Sequence, residues 1–343
     1  MTIDEIKSVI NSPTYDFLRT NPHLKDNLIL LGLGGSYAYG TNTETSDLDL
    51  RGVALNTKEE ILTGNCFEQV VDTTTDTTVY AFNKIIKLLC SCNPNTIEIL
   101  GLKPKHYLYL SPIGEELVAN RRMFLSKRAV HSFGGYANAQ LRRLENKAAR
   151  LTGQSQMEEY VLKSIEYASV YFKERYAAFP EDSLRLYIDE SQRDELDTEI
   201  FMDVTLHHYP LRDYSDVCNE MNSIIKSYNK MGGRNQKAIE HGKIAKHMMH
   251  LIRLYLMCFD ILENEEIHTY REKEHDFLMD IRNGKYLDKD DQPTIEFYAI
   301  VDAYEERMEY LKNHTNLPDS VDQKAIDRFV VSVNERVCKG ETR

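Results

Sequence analysis

The chain has 343 residues, of which 42% are hydrophobic and 28% are charged. This composition is ordinary for a folded globular protein and argues against a disordered or fibrous one. The formal net charge of -12 opposes broad attraction to nucleic acid, so a polynucleotide partner would need a local basic patch.

The sequence shows no sign of a membrane or secreted protein. No apolar run approaches the length of about 18 to 20 residues that spans a bilayer. The first ten residues, MTIDEIKSVI, are amphipathic and differ from a signal peptide. The six cysteines lack a paired CxxC spacing, which argues against a disulfide framework or a zinc knuckle. We therefore expect a cytoplasmic protein with no membrane partner.

A strand followed by a glycine turn comes first in chain order. Residues 28–33, LILLGL, form an apolar run that is typical of a buried strand. Gly34 and Gly35 end this run, and Ser36 follows. Glycine lets the backbone approach a ligand closely, and N–H groups at the start of a helix attract anions. The turn predicts a phosphate-binding site, although the same pattern also occurs in ordinary turns.

The second predicted strand carries charges on one face. Residues 47–55, DLDLRGVAL, alternate strictly, so Asp47, Asp49 and Arg51 point to one side of the strand. Two carboxylates on one face repel each other unless a positive charge lies between them. A hard divalent cation such as Mg²⁺, with Mn²⁺ as the alternative, meets that need. An exposed edge strand is the alternative explanation, and Arg51 would organise the aspartates or bind a phosphate.

A third strand and a series of helices follow. Residues 77–82, TTVYAF, are rich in β-branched and aromatic residues, which favour strands. They continue into a helical pattern that ends at Asn93-Pro94. From about Ile113 onward the pattern is almost wholly helical, apart from a more polar segment at 180–233. We expect His207 and His208, within that segment, to lie at the surface.

The combination of these motifs resembles a known family. The segment GGSYAYGTNTETSDLDLRGV, residues 34–53, resembles the signature of the DNA polymerase β-like nucleotidyltransferase superfamily. It is most similar to a bacterial and phage group of nucleotidyltransferases found beside RNA-repair ligases. Three later segments resemble the same group: CNPNTIEILGL at 92–102, RRMFLSKRAVHSFGGYANAQLRRL at 121–144 and KIAKHMMHLIRLY at 243–255.

The resemblance implies roles for residues of the motif. Gly35, Ser36 and Tyr37 would bind the nucleotide, and Asp47 and Asp49 would bind the metal. The superfamily uses a third carboxylate on a neighbouring strand. We assign this role to Asp76, which precedes the third strand. Its alternatives are Asp72 and Glu98, and for Glu98 a structural role such as capping or pairing with Arg51 is equally open.

Two sets of helical residues are further candidates. Lys246, His250 and Arg253 are spaced i, i+4 and i+7 on an otherwise apolar helix and need an anionic partner. The nucleotide could supply it, as could carboxylates elsewhere in this acidic chain. The resemblance favours nucleotide binding.

Tyr136, Gln140 and Arg143 have the same spacing and could contact a base, or could be structural. The densest positive region, a candidate patch for an RNA or DNA end, consists of Arg121, Arg122, Lys127, Arg128, Arg142 and Arg143.

The sequence thus predicts an α+β protein. An N-terminal polymerase β-like nucleotidyltransferase domain with a mixed sheet, residues 1–112, precedes a mainly α-helical domain, residues 113–343, in which 180–233 is an inserted polar segment. The implied reaction transfers a nucleoside monophosphate from a nucleoside triphosphate to an acceptor hydroxyl. An RNA end is the favoured acceptor. The alternatives are a partner protein, as in a toxin–antitoxin or regulatory module, and an aminoglycoside-like small molecule. The sequence predicts no particular oligomeric state.

Overall fold

The computed structural model forms two compact units and confirms the predicted α+β class. The structure describes residues 1–149, 162–163, 183–190, 198–229, 243–289 and 292–342. The first unit consists of Met1–Ala137, Met249–Asp280 and Ala299–Arg343, and the second of Asn138–Met248 and Ile281–Tyr298. The domain limits at 1–112 and 113–343 stay a prediction.

The first unit contains the predicted mixed sheet. Its strands are β1 (Leu28–Leu33), β2 (Leu50–Ala54), β3 (Gln69–Asp72), β4 (Thr77–Ala81) and β5 (Tyr107–Leu110). They lie in the order β3-β4-β2-β1-β5. β2 and β4 run parallel, while the pairs β1–β2, β1–β5 and β3–β4 are antiparallel. β1 lies between two neighbours and is buried from Ile29 to Leu33, which explains its continuous apolar run.

The second strand begins later than its alternation predicts. The prediction started at Asp47, whereas β2 starts at Leu50. Leu50 pairs with Leu33, the last residue of β1, and with Thr77, the first residue of β4. Because both neighbouring strands end at this level, the residues before Leu50 have no ladder to join. The two aspartates therefore lie just before the first residue of β2, outside the ladder of the sheet.

Helices make up most of the remaining described structure. They are α1 (Ile3–Ile10), α2 (Phe17–Thr20), α3 (Gly35–Tyr39), α4 (Lys58–Thr63), α5 (Phe82–Cys90), α6 (Pro94–Ile97), α7 (Pro112–Ala119), α8 (Arg128–Ala149), α9 (Leu211–Asn229), α10 (Lys243–Phe259), α11 (His275–Arg282), α12 (Ile295–His314) and α13 (Gln323–Lys339). Local sequence explains several ends. Thr57 and Asp322 cap the starts of α4 and α13 with side-chain oxygens, and Gly64 and Gly340 end the same helices in left-handed backbone.

One amphipathic helix covers the central strands. α5 buries Phe82, Ile85, Ile86 and Leu89, at the i, i+3, i+4 and i+7 positions that share one helix face. It contacts β2 and β4, and its Phe82 ring lies 5.9 Å from the ring of Phe329 in α13. The core of the first unit therefore lies beside the same two strands that the aspartates precede.

α10 is buried around most of its circumference. Every residue from Met249 to Phe259 is buried except the half-buried His250. A π-helical segment, Asp260–Asn264, continues from its end. Within the described ranges, no helix is both long and apolar enough to cross a bilayer.

The second unit contains a hairpin that the sequence analysis missed. β6 (Leu184–Glu190) and β7 (Thr198–Val204) pair antiparallel along their whole length, in the segment predicted as a polar excursion from helices. The acidic residues 191–197 between them lie outside the described residues. His207 and His208, which follow β7, are exposed as predicted.

Candidate active site

The glycine turn and the second aspartate form one structural feature. The backbone N–H of Gly34 donates to the carbonyl oxygen of Asp49 over 2.8 Å. Gly35 begins α3 with a φ of +53°, and a β-carbon built on it would lie 2.7 Å from Cγ of Asp49 and closer still to Oδ2. Only glycine satisfies both the left-handed backbone and this close approach. The Asp49 carboxylate therefore rests directly on the turn.

The two aspartates keep the alternation that the sequence predicts. Leu48, between them, is buried, whereas Asp47 is exposed and the Asp49 side chain is 20% exposed. Both carboxylates are thus accessible from outside the core.

The rest of the turn is more buried. Ser36 and Tyr37 are buried, and the hydroxyl of Tyr37 accepts a hydrogen bond of 3.3 Å from the Met1 amino group. Their predicted role in nucleotide binding stays a prediction.

Arg51 connects two of the predicted metal ligands. One guanidinium nitrogen, Nη2, lies 4.0 Å from Oδ1 of Asp49, and the other, Nη1, lies 3.5 Å from Oδ1 of Asp76. Nη1 also donates to the backbone carbonyls of Leu50 and Asp76 over 2.9 and 2.8 Å. Arg51 thus lies between Asp49 and Asp76, and its role in organising Asp47 and Asp49 or in binding a phosphate stays a prediction.

Asp76 lies beside β2, but its carboxylate faces Arg51. It occupies the turn before β4 with a φ of +44°, and its carbonyl oxygen accepts from the N–H of Leu50 over 3.2 Å. Its side chain is 61% exposed. Among the described residues, no group of three or more His, Cys, Asp or Glu side chains is arranged to hold a metal ion. Asp49 and Asp76 thus meet through a shared guanidinium, and the role of Asp76 as third ligand stays a prediction.

The two alternatives for the third carboxylate have other partners. Oδ1 of Asp72 accepts from the N–H and the hydroxyl of Thr75, both over 2.8 Å, and so stabilises the turn between β3 and β4. Glu98 is buried, and Nη1 of Arg253 donates to its Oε2 over 3.3 Å. The ion-pair partner of Glu98 is therefore Arg253 rather than Arg51, the partner that the sequence suggested.

Tyr39, at the end of α3, is a site residue that the sequence analysis missed. Its hydroxyl donates to Glu98, 2.9 Å from Oε2, and the Arg253 guanidinium lies 3.6 Å from the centre of its ring. Burial raises the pKa of Tyr39, and burial also raises the pKa of Glu98 against the opposing effect of Arg253. In the sequence, the only indication that Tyr39 belongs to the site is its position four residues after Gly35.

The helix face predicted to bind the nucleotide packs against that tyrosine. Besides the buried Arg253, His250 meets the Tyr39 ring edge-on with the ring centres 6.2 Å apart. Lys246 is exposed and belongs to the second unit. For these three residues nucleotide binding stays a prediction.

The second helical set, Tyr136, Gln140 and Arg143, is also divided between the two units. The hydroxyl of Tyr136 accepts from Nδ2 of Asn95 over 2.7 Å in the first unit. In the second unit, Oε1 of Gln140 lies 3.2 Å from Nδ1 of His247. The side chain of Arg143 lies outside the described residues, as does that of Arg142.

The predicted basic patch is partly neutralised by nearby acids. Lys127 lies 3.0 Å from Asp319, and Arg122, which is 65% exposed, lies 3.9 Å from Glu266. Exposed pairs of this kind are weak and would compete little with a phosphate. The patch as a nucleic-acid surface stays a prediction.

The comparisons with known proteins agree with the motif geometry. A family model described as RlaP, RNA repair pathway DNA polymerase beta family, matches residues 8–168. The matched segment includes the whole five-stranded sheet, the glycine turn, both aspartates and Arg51. Neither the curated proteins nor the solved structures gave a match. Residues 8–168, just under half of the chain, are thus similar to the RNA repair pathway DNA polymerase beta family, in agreement with the resemblance of the motif to the polymerase β-like nucleotidyltransferases.

Proposed function

We propose that this protein is a metal-dependent nucleotidyltransferase that transfers a nucleoside monophosphate to the 3′ hydroxyl of an RNA. In this reaction the oxygen of the acceptor hydroxyl bonds to the α-phosphorus, the bond from that phosphorus to pyrophosphate breaks, and the hydroxyl loses its proton. The observation that carries the proposal is the packing of the Asp49 carboxylate on Gly35. This contact places a carboxylate beside a turn suited to phosphate.

The residues present fit a magnesium ion. Mg²⁺ is held in many phosphate-transfer sites by one or two carboxylates, and its other ligands are water and substrate phosphates. Asp47 and Asp49 are accessible carboxylates next to the turn, so they supply such a set without a third acid. When bound there, the metal would neutralise charge on the triphosphate.

The protein's own groups have separate tasks in this proposal. The N–H groups of Gly35 and Ser36 are the first of α3, whose start has no side-chain cap, and in this proposal they bind triphosphate oxygens. Arg51, 23% exposed, lies beside the Asp49 carboxylate and adds positive charge near the phosphates. These are positioning and electrostatic contributions, which dominate catalysis of phosphoryl transfer.

The family supports RNA as the acceptor. The matched family is described by an RNA repair pathway, whereas nothing in the described residues favours a protein or an aminoglycoside. Because the net charge is -12, binding of the RNA end would depend on a local group of cations. Arg122 and Arg128 are exposed members of the predicted basic patch and could contribute.

The test is release of pyrophosphate and labelling of the acceptor. Each labelled nucleoside triphosphate is incubated with Mg²⁺ and with an RNA 3′ end, a protein mixture, an aminoglycoside or no acceptor. We expect labelled RNA from the wild type and a loss of about 100-fold or more in the Asp47→Asn, Asp49→Asn variant.

A matched control removes the same charges elsewhere. Asp4→Asn, Asp16→Asn changes two exposed aspartates of the first unit and should retain wild-type activity. Equal rates for the wild type and both variants would refute the proposed site, and label in protein or aminoglycoside alone would replace RNA as the acceptor.

A further inference from the structure

A buried charged group stands behind the glycine turn. We call Tyr39, Glu98 and Arg253 the Tyr39 cluster. All three side chains are more than nine-tenths buried. Glu98 accepts from the Tyr39 hydroxyl over 2.9 Å and from Arg253 over 3.3 Å, and the guanidinium covers the tyrosine ring at 3.6 Å. Each member therefore contacts the other two.

Stability alone does not account for this cluster. Taking a carboxylate and a guanidinium out of water costs free energy that their mutual attraction recovers only in part. Burial raises the pKa of Glu98 despite the adjacent Arg253, in agreement with an incompletely compensated charge. Apolar side chains of similar size at these positions would be as stabilising or more so. What the charged groups add is directional contacts to Tyr39.

These contacts act on a very short helix. α3 contains only five residues, and its first residue, Gly35, touches the Asp49 carboxylate while its last is Tyr39. At about 1.5 Å of rise per residue, the two ends are only about 6 Å apart. A shift of the Tyr39 end therefore changes the position of Gly35.

The polypeptide around the cluster also restrains that end of α3. The carbonyl oxygen of Tyr39 accepts from the N–H of Arg271, and the hydroxyl of Thr269 donates to the carbonyl oxygen of Glu98 over 2.5 Å. A β-carbon on Gly40 would clash with the ring of Tyr270. Segments distant in sequence thus converge on one helix end.

We propose that Glu98 and Arg253 are positioning residues, which hold α3 through Tyr39 and so keep Gly35 against the Asp49 carboxylate. Neither residue needs to contact the nucleotide for this role. The catalytic consequence rests on the function proposed above, whereas the effect on α3 does not.

The test separates position from stability. In the variant Tyr39→Phe, Glu98→Leu, Arg253→Met, every member of the cluster is replaced by an apolar side chain. We expect cooperative unfolding with a midpoint no lower than that of the wild type. Amides of residues 35–41 should nevertheless exchange with deuterium about tenfold faster, and kcat/KM should fall about tenfold with a rise in KM for the nucleoside triphosphate.

The control is another Glu–Arg pair in the same unit. Glu116 of α7 and Arg336 of α13 lie 2.6 Å apart, and neither belongs to α3 or to the Tyr39 cluster. Glu116→Leu, Arg336→Met should leave both exchange at 35–41 and kcat/KM at wild-type values.

Several outcomes would overturn the proposal. Wild-type exchange at residues 35–41 in the apolar variant would do so, as would an equal rise across the whole first unit. If that variant does not fold, Tyr39→Phe alone carries the test, with about threefold faster exchange expected at the same amides. If the wild type transfers no nucleotide, the proposed function fails, yet the exchange measurement still decides whether the cluster positions α3.

Discussion

Replacement of Gly35 by alanine tests whether the close contact between Gly35 and the Asp49 carboxylate is needed for nucleotide transfer. The alanine β-carbon would lie 2.7 Å from Cγ of Asp49 and closer to Oδ2, whereas ordinary contacts begin at 3.4 Å. Relief of this overlap requires the carboxylate to move by roughly 1 Å, and a misplacement of that size costs about 100-fold in rate. That loss corresponds to about 3 kcal/mol of transition-state stabilisation. The left-handed backbone adds about 1 to 2 kcal/mol of destabilisation.

The chain offers a matched control for the backbone cost. Gly64 ends α4 at a φ of +75°, and a β-carbon there would meet nothing within 4 Å. Gly64→Ala should therefore show the same loss of about 1 to 2 kcal/mol in urea unfolding but wild-type kcat/KM for nucleotide transfer. Wild-type kcat/KM in Gly35→Ala, or an equal kinetic loss in Gly64→Ala, would refute the argument from the Asp49 contact.

Two further predictions concern single charged or titratable groups. Arg51→Met should lower kcat/KM about tenfold and change the free energy of unfolding by about 1 kcal/mol or less, because its ion pairs at 3.5 and 4.0 Å are partly exposed. Kinetics and urea unfolding test this, and a large loss of stability with intact kinetics would contradict it. His106 is 4% exposed, and burial, with Lys105 and Lys103 nearby, lowers its pKa from 6.5 to about 4. Burial favours the neutral imidazole of His106 in the folded state. The contribution of His106 to the free energy of unfolding is therefore complete above pH 6.5 and is lost as the pH falls towards 4. Between pH 7 and pH 5, the free energy of unfolding in urea should fall by about 2 kcal/mol more in the wild type than in His106→Leu. An equal fall in both proteins would contradict the lowered pKa of His106.

The local motif was predictable because each of its parts is encoded over a few residues. The apolar run of β1, the glycines after it and the alternation around Asp47 and Asp49 are all short-range patterns. The family resemblance, rather than a local pattern, placed Asp76 on a strand beside the aspartates, and its carbonyl oxygen does accept from the N–H of Leu50 at the start of β2. The start of β2 was placed too early because a strand needs partners as well as alternation.

The partners of charged side chains were not predictable in the same way. Glu98 and Arg253 are 155 positions apart in the chain, and no local pattern indicates that they meet at Tyr39. The spacing of His250 and Arg253 correctly predicted that they share one helix face. It could not show whether the partner of Arg253 is a bound ligand or a buried carboxylate. The hairpin of β6 and β7 was missed although both strands alternate, because the segment was judged by its polarity.

The geometry of the candidate site depends more on backbone packing than on ion pairs. The carboxylate of Asp49 has an Arg51 nitrogen at 4.0 Å, a partly exposed interaction whose strength is about 1 kcal/mol or less. The backbone of the same residue is held by the 2.8 Å hydrogen bond from Gly34, and the absence of a side chain on Gly35 leaves room for its carboxylate. That backbone hydrogen bond does not involve the side-chain charges, so it remains when a cation or a triphosphate competes for them. The carboxylate can therefore exchange Arg51 for another positive partner while its position stays fixed, as a site that binds and releases a charged substrate requires.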